Sequence, residues 1–283
     1  MLLKYSLLCY NKTRKTIINE KGDCMKNDLV VKHNSLIEAR YKLNLNEQKV
    51  LLYAITKLDR NKDKFNVIEF NVTEFTELIG SESNRYEEIR DIVRSLRRKE
   101  VIINTKEKEY ITGWLSSIDF YKGKGKIKLK FDDELVPYLL QLQETFTRYK
   151  LENILYLKNK HSIRLYELLK QYEKIGKRKF TVDTLKDLLM LDDKYKRFYD
   201  FERYVIKSAT REINDLTDIK ISYEKIKKGR KIDSILFTIE SKQKEDKLLD
   251  ELYNIPELKQ LLGISKENFS SKQVISIYEA AVE

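Results

Sequence analysis

The chain of 283 residues contains only two prolines and eight glycines, so it has little material for long flexible linkers. Cysteine is nearly absent as well. Cys9 and Cys24 are the only two, which argues for a reduced, cytoplasmic protein. The two histidines, His33 and His161, lie far apart, and neither belongs to a ligand pair at helix or strand spacing. An HxH-type nicking centre is therefore excluded. No GxxxxGK[ST] run occurs. The stretch Tyr121-Lys122-Gly123-Lys124-Gly125-Lys126 has the glycines of a phosphate loop but lacks its hydroxyl residue and its following helix. Acidic residues form no compact set. These absences lead us to expect no enzyme activity, no cofactor and no metal. The apolar run within Met1–Tyr10 is too short to span a membrane, and Asn11–Asn19 is polar and basic without a cleavage pattern. Residues 1–26 read as an N-terminal extension, and no membrane partner is expected.

Hydrophobic residues make up 41% of the chain and charged residues 36%, which suits a soluble globular protein of two ordinary domains. The net charge of +11 favours a polyanionic partner, although a solubilising surface would give the same total. Placement separates the two readings. Asn84–Lys130 holds 13 Lys/Arg against 7 Asp/Glu, and Lys194–Lys231 holds 12 against 6, whereas Ser241–Glu283 holds 6 against 8. Positive charge is thus concentrated twice.

It is concentrated at equivalent points of an internal repeat. In the first copy Asn44-Leu45-Asn46-Glu47 opens a buried helix over Gln48–Leu58, and Phe65–Phe70 alternates as a strand. A short helix Glu74–Ile79 and a turn Ser81–Asn84 follow. Ile89, Ile92, Val93 and Leu96 then make one apolar stripe on a helix Arg85–Arg98, with Arg90, Arg94, Arg97 and Arg98 largely off it. Strands are expected at Val101–Thr105, Tyr110–Tyr121 and Lys126–Phe131, and Lys122, Lys124 and Lys126 project from the last turn.

In the second copy a helix His161–Tyr172 matches Gln48–Leu58, and Lys179-Phe180-Thr181-Val182 matches Glu69-Phe70-Asn71-Val72. A short helix Thr184–Leu189 follows. Phe70 and Phe180 stand 110 residues apart, Tyr86 and Phe201 115, so insertions are confined to the turn between them. A basic helix begins near Asp200. There Arg203, Lys207 and Arg211 recur every four residues and share a face, and Lys196 and Arg197 crowd its entrance. A hairpin of Asp218–Tyr223 and Ile232–Ile239 closes the copy with a tip rich in Lys227, Lys228, Arg230 and Lys231.

A helix–turn–helix followed by a basic hairpin is the layout of a winged helix, in which the second helix enters the major groove and the wing touches backbone or minor groove. The bland reading of each basic helix is an ordinary solvated face, and it weighs more on the first helix, where Glu87, Glu88 and Asp91 dilute the charge. Arg203 is the expected base reader, because arginine presents a bidentate fork to guanine. Lys207 and Arg211 either reach a base or fix register, while the wing lysines meet phosphates.

The segments Val30-Val31-Lys32-His33-Asn34-Ser35-Leu36-Ile37, Ser162-Ile163-Arg164-Leu165-Tyr166-Glu167-Leu168-Leu169, Asp200-Phe201-Glu202-Arg203 and Ile221-Ser222-Tyr223-Glu224-Lys225 resemble the initiator replication proteins of iteron-type, theta-replicating plasmids. The resemblance covers about residues 28–240. It implies an α+β fold of two tandem winged-helix domains related by duplication, at 27–135 and 136–240, with the extension 1–26 and a helical tail 241–283. It further implies binding of directly repeated origin DNA, with Asp200 and Arg203 facing the groove. Monomers would open the origin and dimers, formed mainly through the first domain, would repress the initiator's own gene. A host initiator and helicase are the implied partners. A transcriptional repressor with no initiation role shares this fold, and a protein-interaction scaffold is the third reading.

Overall fold

The computed structural model describes residues 28–242, apart from 74–75, 77–85, 106, 122, 141, 143–144 and 192–193, together with the paired strands β1 (Tyr10–Asn11) and β2 (Arg14–Lys15). Most of the N-terminal extension, most of the expected helix Glu74–Ile79, the turn Ser81–Asn84, and all of the tail after 242 lie outside the described residues.

The first module opens with β3 (Leu29–His33) and a one-turn α1 (Asn34–Ile37). His33 caps α1: its Nδ1 accepts from the Ser35 backbone N–H at 3.1 Å. Helix α2 (Leu45–Thr56) starts at a reciprocal cap in which Asn44 Oδ1 accepts from Glu47 N at 2.9 Å and Glu47 Oε2 accepts from Asn44 N at 2.7 Å. Val50 to Ile55 are all buried, so α2 is surrounded by core on every side. Strand β4 (Ile68–Asn71), helix α3 (Tyr86–Arg97), and strands β5 (Glu100–Asn104), β6 (Glu109–Gly113), β7 (Leu115–Tyr121) and β8 (Lys126–Phe131) follow. The single strand expected over Tyr110–Tyr121 is two strands in separate sheets. It breaks at Trp114, whose fully buried ring meets Tyr41 edge-on at 5.0 Å.

A 3-10 turn, Asp133–Leu135, leads into α4 (Val136–Leu139) and then β9 (Phe146–Lys150), a strand absent from the sequence reading. β9 runs antiparallel to β3 and so returns the chain to the start of the fold. After α5 (Glu152–Leu155), the second module comprises α6 (Lys160–Lys170), β10 (Lys177–Thr181) and α7 (Val182–Leu188). Next come α8 (Phe198–Phe201), a π turn (Glu202–Ile206), α9 (Lys207–Leu216), β11 (Ile219–Lys228) and β12 (Lys231–Ser241). Its wing is longer than the sequence suggests, because Lys225–Lys228 and Lys231 belong to the strands and only Gly229 and Arg230 form the turn.

Duplication is explicit in the sheets. The first is ordered β4-β8-β7 and the second β10-β12-β11, each antiparallel, so the leading strand lies beside the last strand of the hairpin in both. Phe70 pairs across to Ile127, and Phe180 to Ile235. The two modules share one contiguous core, running from Val30 to Ile239.

Candidate nucleic-acid interface

In the first module α3 buries Ile89, Ile92, Val93 and Leu96, as its periodicity requires. The opposite side carries the arginines. Arg90 and Arg94 both lie over the Phe120 ring of β7, each at 5.4 Å from its centre, so this helix is fastened to its own hairpin by cation–π contacts. Arg90 also meets Glu87 at 3.0 Å. Arg97 and Arg98 are exposed at the end of the helix. On the wing Lys124 is exposed, but Lys126 and Lys128 converge on Glu69 at 2.8 and 3.2 Å. Hydrogen bonds from these two lysines hold the Glu69 carboxyl below the usual carboxylate range. Arg85 and Lys122, both expected at this surface, lie outside the described residues.

The second module begins at a constrained approach. Met190 and Tyr195 adopt left-handed backbone angles, φ 49° and 56°, and Lys186 Nζ donates to the Tyr195 carbonyl at 2.9 Å. Lys196 and Arg197 are exposed just before α8. Arg197 grips Asp200 with two nitrogens, at 2.8 and 3.2 Å, so Asp200 already has a guanidinium partner in the free protein. Phe201, Val205, Ala209 and Ile213 are fully buried. Arg203, Lys207 and Arg211 are exposed along the other side, as their spacing suggests.

Two tyrosines stand among these cations, and one of them, Tyr204, does not pack inward as its place beside the apolar stripe predicts. Tyr199 is 61% exposed and Tyr204 51%; Arg203 lies over the Tyr204 ring at 5.3 Å and Tyr195 stacks on it at 6.1 Å. Asn214, beside this face, clasps β11: its side chain donates to the Ile221 carbonyl at 2.9 Å and accepts from the Ile221 N–H at 2.7 Å. Glu202 ties the same helix to β11 through Tyr223 and Lys225. Helix and wing are thereby one unit in each module.

The second wing concentrates charge at its tip. Lys227, Lys228, Arg230 and Lys231 are exposed, and none has a carboxylate partner among the described residues. Lys228 pairs directly across from Lys231, a like-charge facing pair that costs stability unless an anion sits nearby. Of the two histidines, His161 is driven down to about 4 by burial and by the charges of Lys160 and Lys194, and His33 is spent on the α1 cap. Among the described residues no group of three or more His, Cys, Asp or Glu side chains is placed to hold a metal ion. No described helix is long and apolar enough to cross a membrane.

Comparison with known proteins finds two winged-helix family models in tandem along this chain. A family model described as initiator replication protein, WH1, matches residues 29–170, and one described as initiator Rep protein, WH2, matches residues 181–239. A replication initiation protein of Escherichia coli is 29% identical over 238 residues, which covers 80% of this chain and 73% of that one. An uncharacterised 27.6 kDa protein of the same organism is 26% identical over 230 residues, 76% of this chain and 95% of that one. The crystal structure of the Pi initiator protein in complex with iteron DNA is similar in fold, with a TM-score of 0.65 at 22% identity over 76% of this chain and 97% of that one.

Proposed function

This chain belongs to the initiator replication protein family, and from that premise we propose that it binds directly repeated sequences of a plasmid origin through both modules, opens the origin and brings in the host replication machinery. The observation that carries the reading is the duplication itself. One sheet order occurs twice, and each copy pairs a helix bearing arginines with a hairpin bearing lysines. A scaffold with merely solvated faces has no need of Lys228 opposite Lys231.

The two surfaces differ in kind. In the first module Arg90, Arg94, Lys126 and Lys128 are engaged within the protein, leaving Arg97, Arg98 and Lys124 for phosphates. In the second, Arg203, Lys207 and Arg211 face outward together, so this module reads bases and the first fixes position. Dimers formed mainly through the first domain repress the initiator's own gene, and a host initiator and helicase are the partners at the open origin. Footprinting on the origin of the carrying plasmid tests this. Protection of directly spaced repeats at moderate salt is expected, and protection of a lone operator with none at the repeats would overturn the initiator role in favour of repression alone.

A further inference from the structure

The basic helix of the second module departs from regular α geometry where its reading residues begin. On a helix of 3.6 residues per turn, positions four apart drift by about 40° per step, so Phe201, Val205, Ala209 and Ile213 would fan over about 120° and Arg203, Lys207 and Arg211 over about 80°. All four apolar residues are fully buried and all three cations are exposed. The π turn Glu202–Ile206 narrows both fans. Its wider i→i+5 repeat makes a four-residue step fall short of a full turn, which offsets the drift. Helix α3 of the first module has its apolar residues at mixed three- and four-residue spacing and is α-helical over Tyr86–Arg97.

Glu202 opens that π turn and precedes Arg203. Although it stands on a surface helix, it is only 8% exposed. Its carboxylate accepts from the Tyr223 hydroxyl at 2.9 Å and pairs with Lys225 at 3.2 Å, both on the first strand of the wing. Burial would push the carboxyl up, but these two hydrogen bonds outweigh it and hold the group below the usual range. A buried carboxylate so paired has one favourable arrangement, which fixes the π turn against β11.

We infer that Glu202 is a positioning residue for sequence recognition: latched to Tyr223 and Lys225, it holds the π turn and the wing in one register, so that Arg203 meets a base while Lys227 and Lys228 meet the backbone. The inference rests on the reading of α8–α9 as the groove helix. Glu202 touches no DNA itself. It discriminates between sequences by restricting where its neighbours can stand.

The test uses the full chain, a duplex carrying one footprinted repeat, and a scrambled duplex of equal length. Glu202→Gln keeps the volume, breaks the ion pair and removes a negative charge near the DNA. Selectivity for the repeat over the scrambled duplex should fall about tenfold, while affinity for the scrambled duplex holds or tightens. A merely structural role would weaken both equally, and that result, or unchanged selectivity, overturns the inference. Should Glu202→Gln fail to fold, Tyr223→Phe decides, because it removes a single hydrogen bond and should lower selectivity about threefold in the same direction. Unchanged selectivity in that variant overturns the inference as well. Wild-type protein that ignores the repeat would instead sink the origin-binding reading, which is a separate outcome.

Discussion

Arg203 and Arg197 flank one turn of the same helix but have different freedom. Arg197 is held by Asp200 through two nitrogens, whereas Arg203 rests on the Tyr204 ring with its hydrogen-bond donors unspent among the described residues. A guanidinium stacked on an aromatic ring keeps its fork available for a guanine edge at little entropic cost. Arg203→Ala should therefore cost about 1–3 kcal/mol at a footprinted repeat and leave binding to random duplex unchanged, as measured by titration of both at one salt concentration. Equal losses on the two duplexes would make it a backbone contact. The exposure of Arg203, Lys207 and Arg211 was legible from their four-residue spacing alone. Tyr199 and Tyr204 were not, since an aromatic beside an apolar stripe reads as core.

Elements were legible where their signal is local. The Asn44–Glu47 cap, the apolar stripe of α3 and the repeated strand–helix order all follow from short-range patterns. Where sheet partners decide, the sequence is silent. β9 alternates only weakly and is a strand because β3 lies beside it, and Tyr110–Tyr121 is interrupted because Trp114 turns into the core. The second wing shows the functional side of this. Strand pairing continues, through a bulge between Ile226 and Lys227, to Lys228 and Lys231, so the cations are carried on a two-stranded ribbon that ends at Gly229, whose φ of 64° suits glycine. Fixed charges with no carboxylate partner release counterions when they meet phosphate. Replacing Lys227 and Lys228 by glutamine should thus lower the slope of log affinity against log salt by about 1 for each, for repeat and random duplex alike. An unchanged slope would place the wing away from the DNA.

A buried network of charges joins the two modules. Lys32 of β3 and Glu167 of α6 are fully buried and form an ion pair, Arg164 meets the same carboxylate at 3.2 Å, and the hydroxyls of Tyr41 and Tyr149 donate to it. Arg164 also donates to the carbonyls of Ile37 and Ala39 at 3.0 and 2.9 Å, binding the start of the first module to the first helix of the second. Burial alone would raise the Glu167 carboxyl; the charges of Lys32 and Arg164, with hydrogen bonds from Lys32 and Tyr149, outweigh it and keep the group ionised. Because that pKa is depressed, its contribution to stability is full above the unfolded carboxyl's pKa, about 4.5, and is lost as pH falls below it. Removing the anion would leave two buried cations with no counter-charge, which costs far more than a surface pair. Glu167→Gln should destabilise by about 3–5 kcal/mol, against about 0–1 kcal/mol for Asp59→Asn, which removes the exposed Lys62 partner. Urea unfolding at neutral pH measures both. With one core spanning the modules, loss should come as a single transition shifted to lower urea. Two separated transitions in the wild type, or equal small costs for the two variants, would mean that the modules stand independently and that neither module sets the other's place on the repeat.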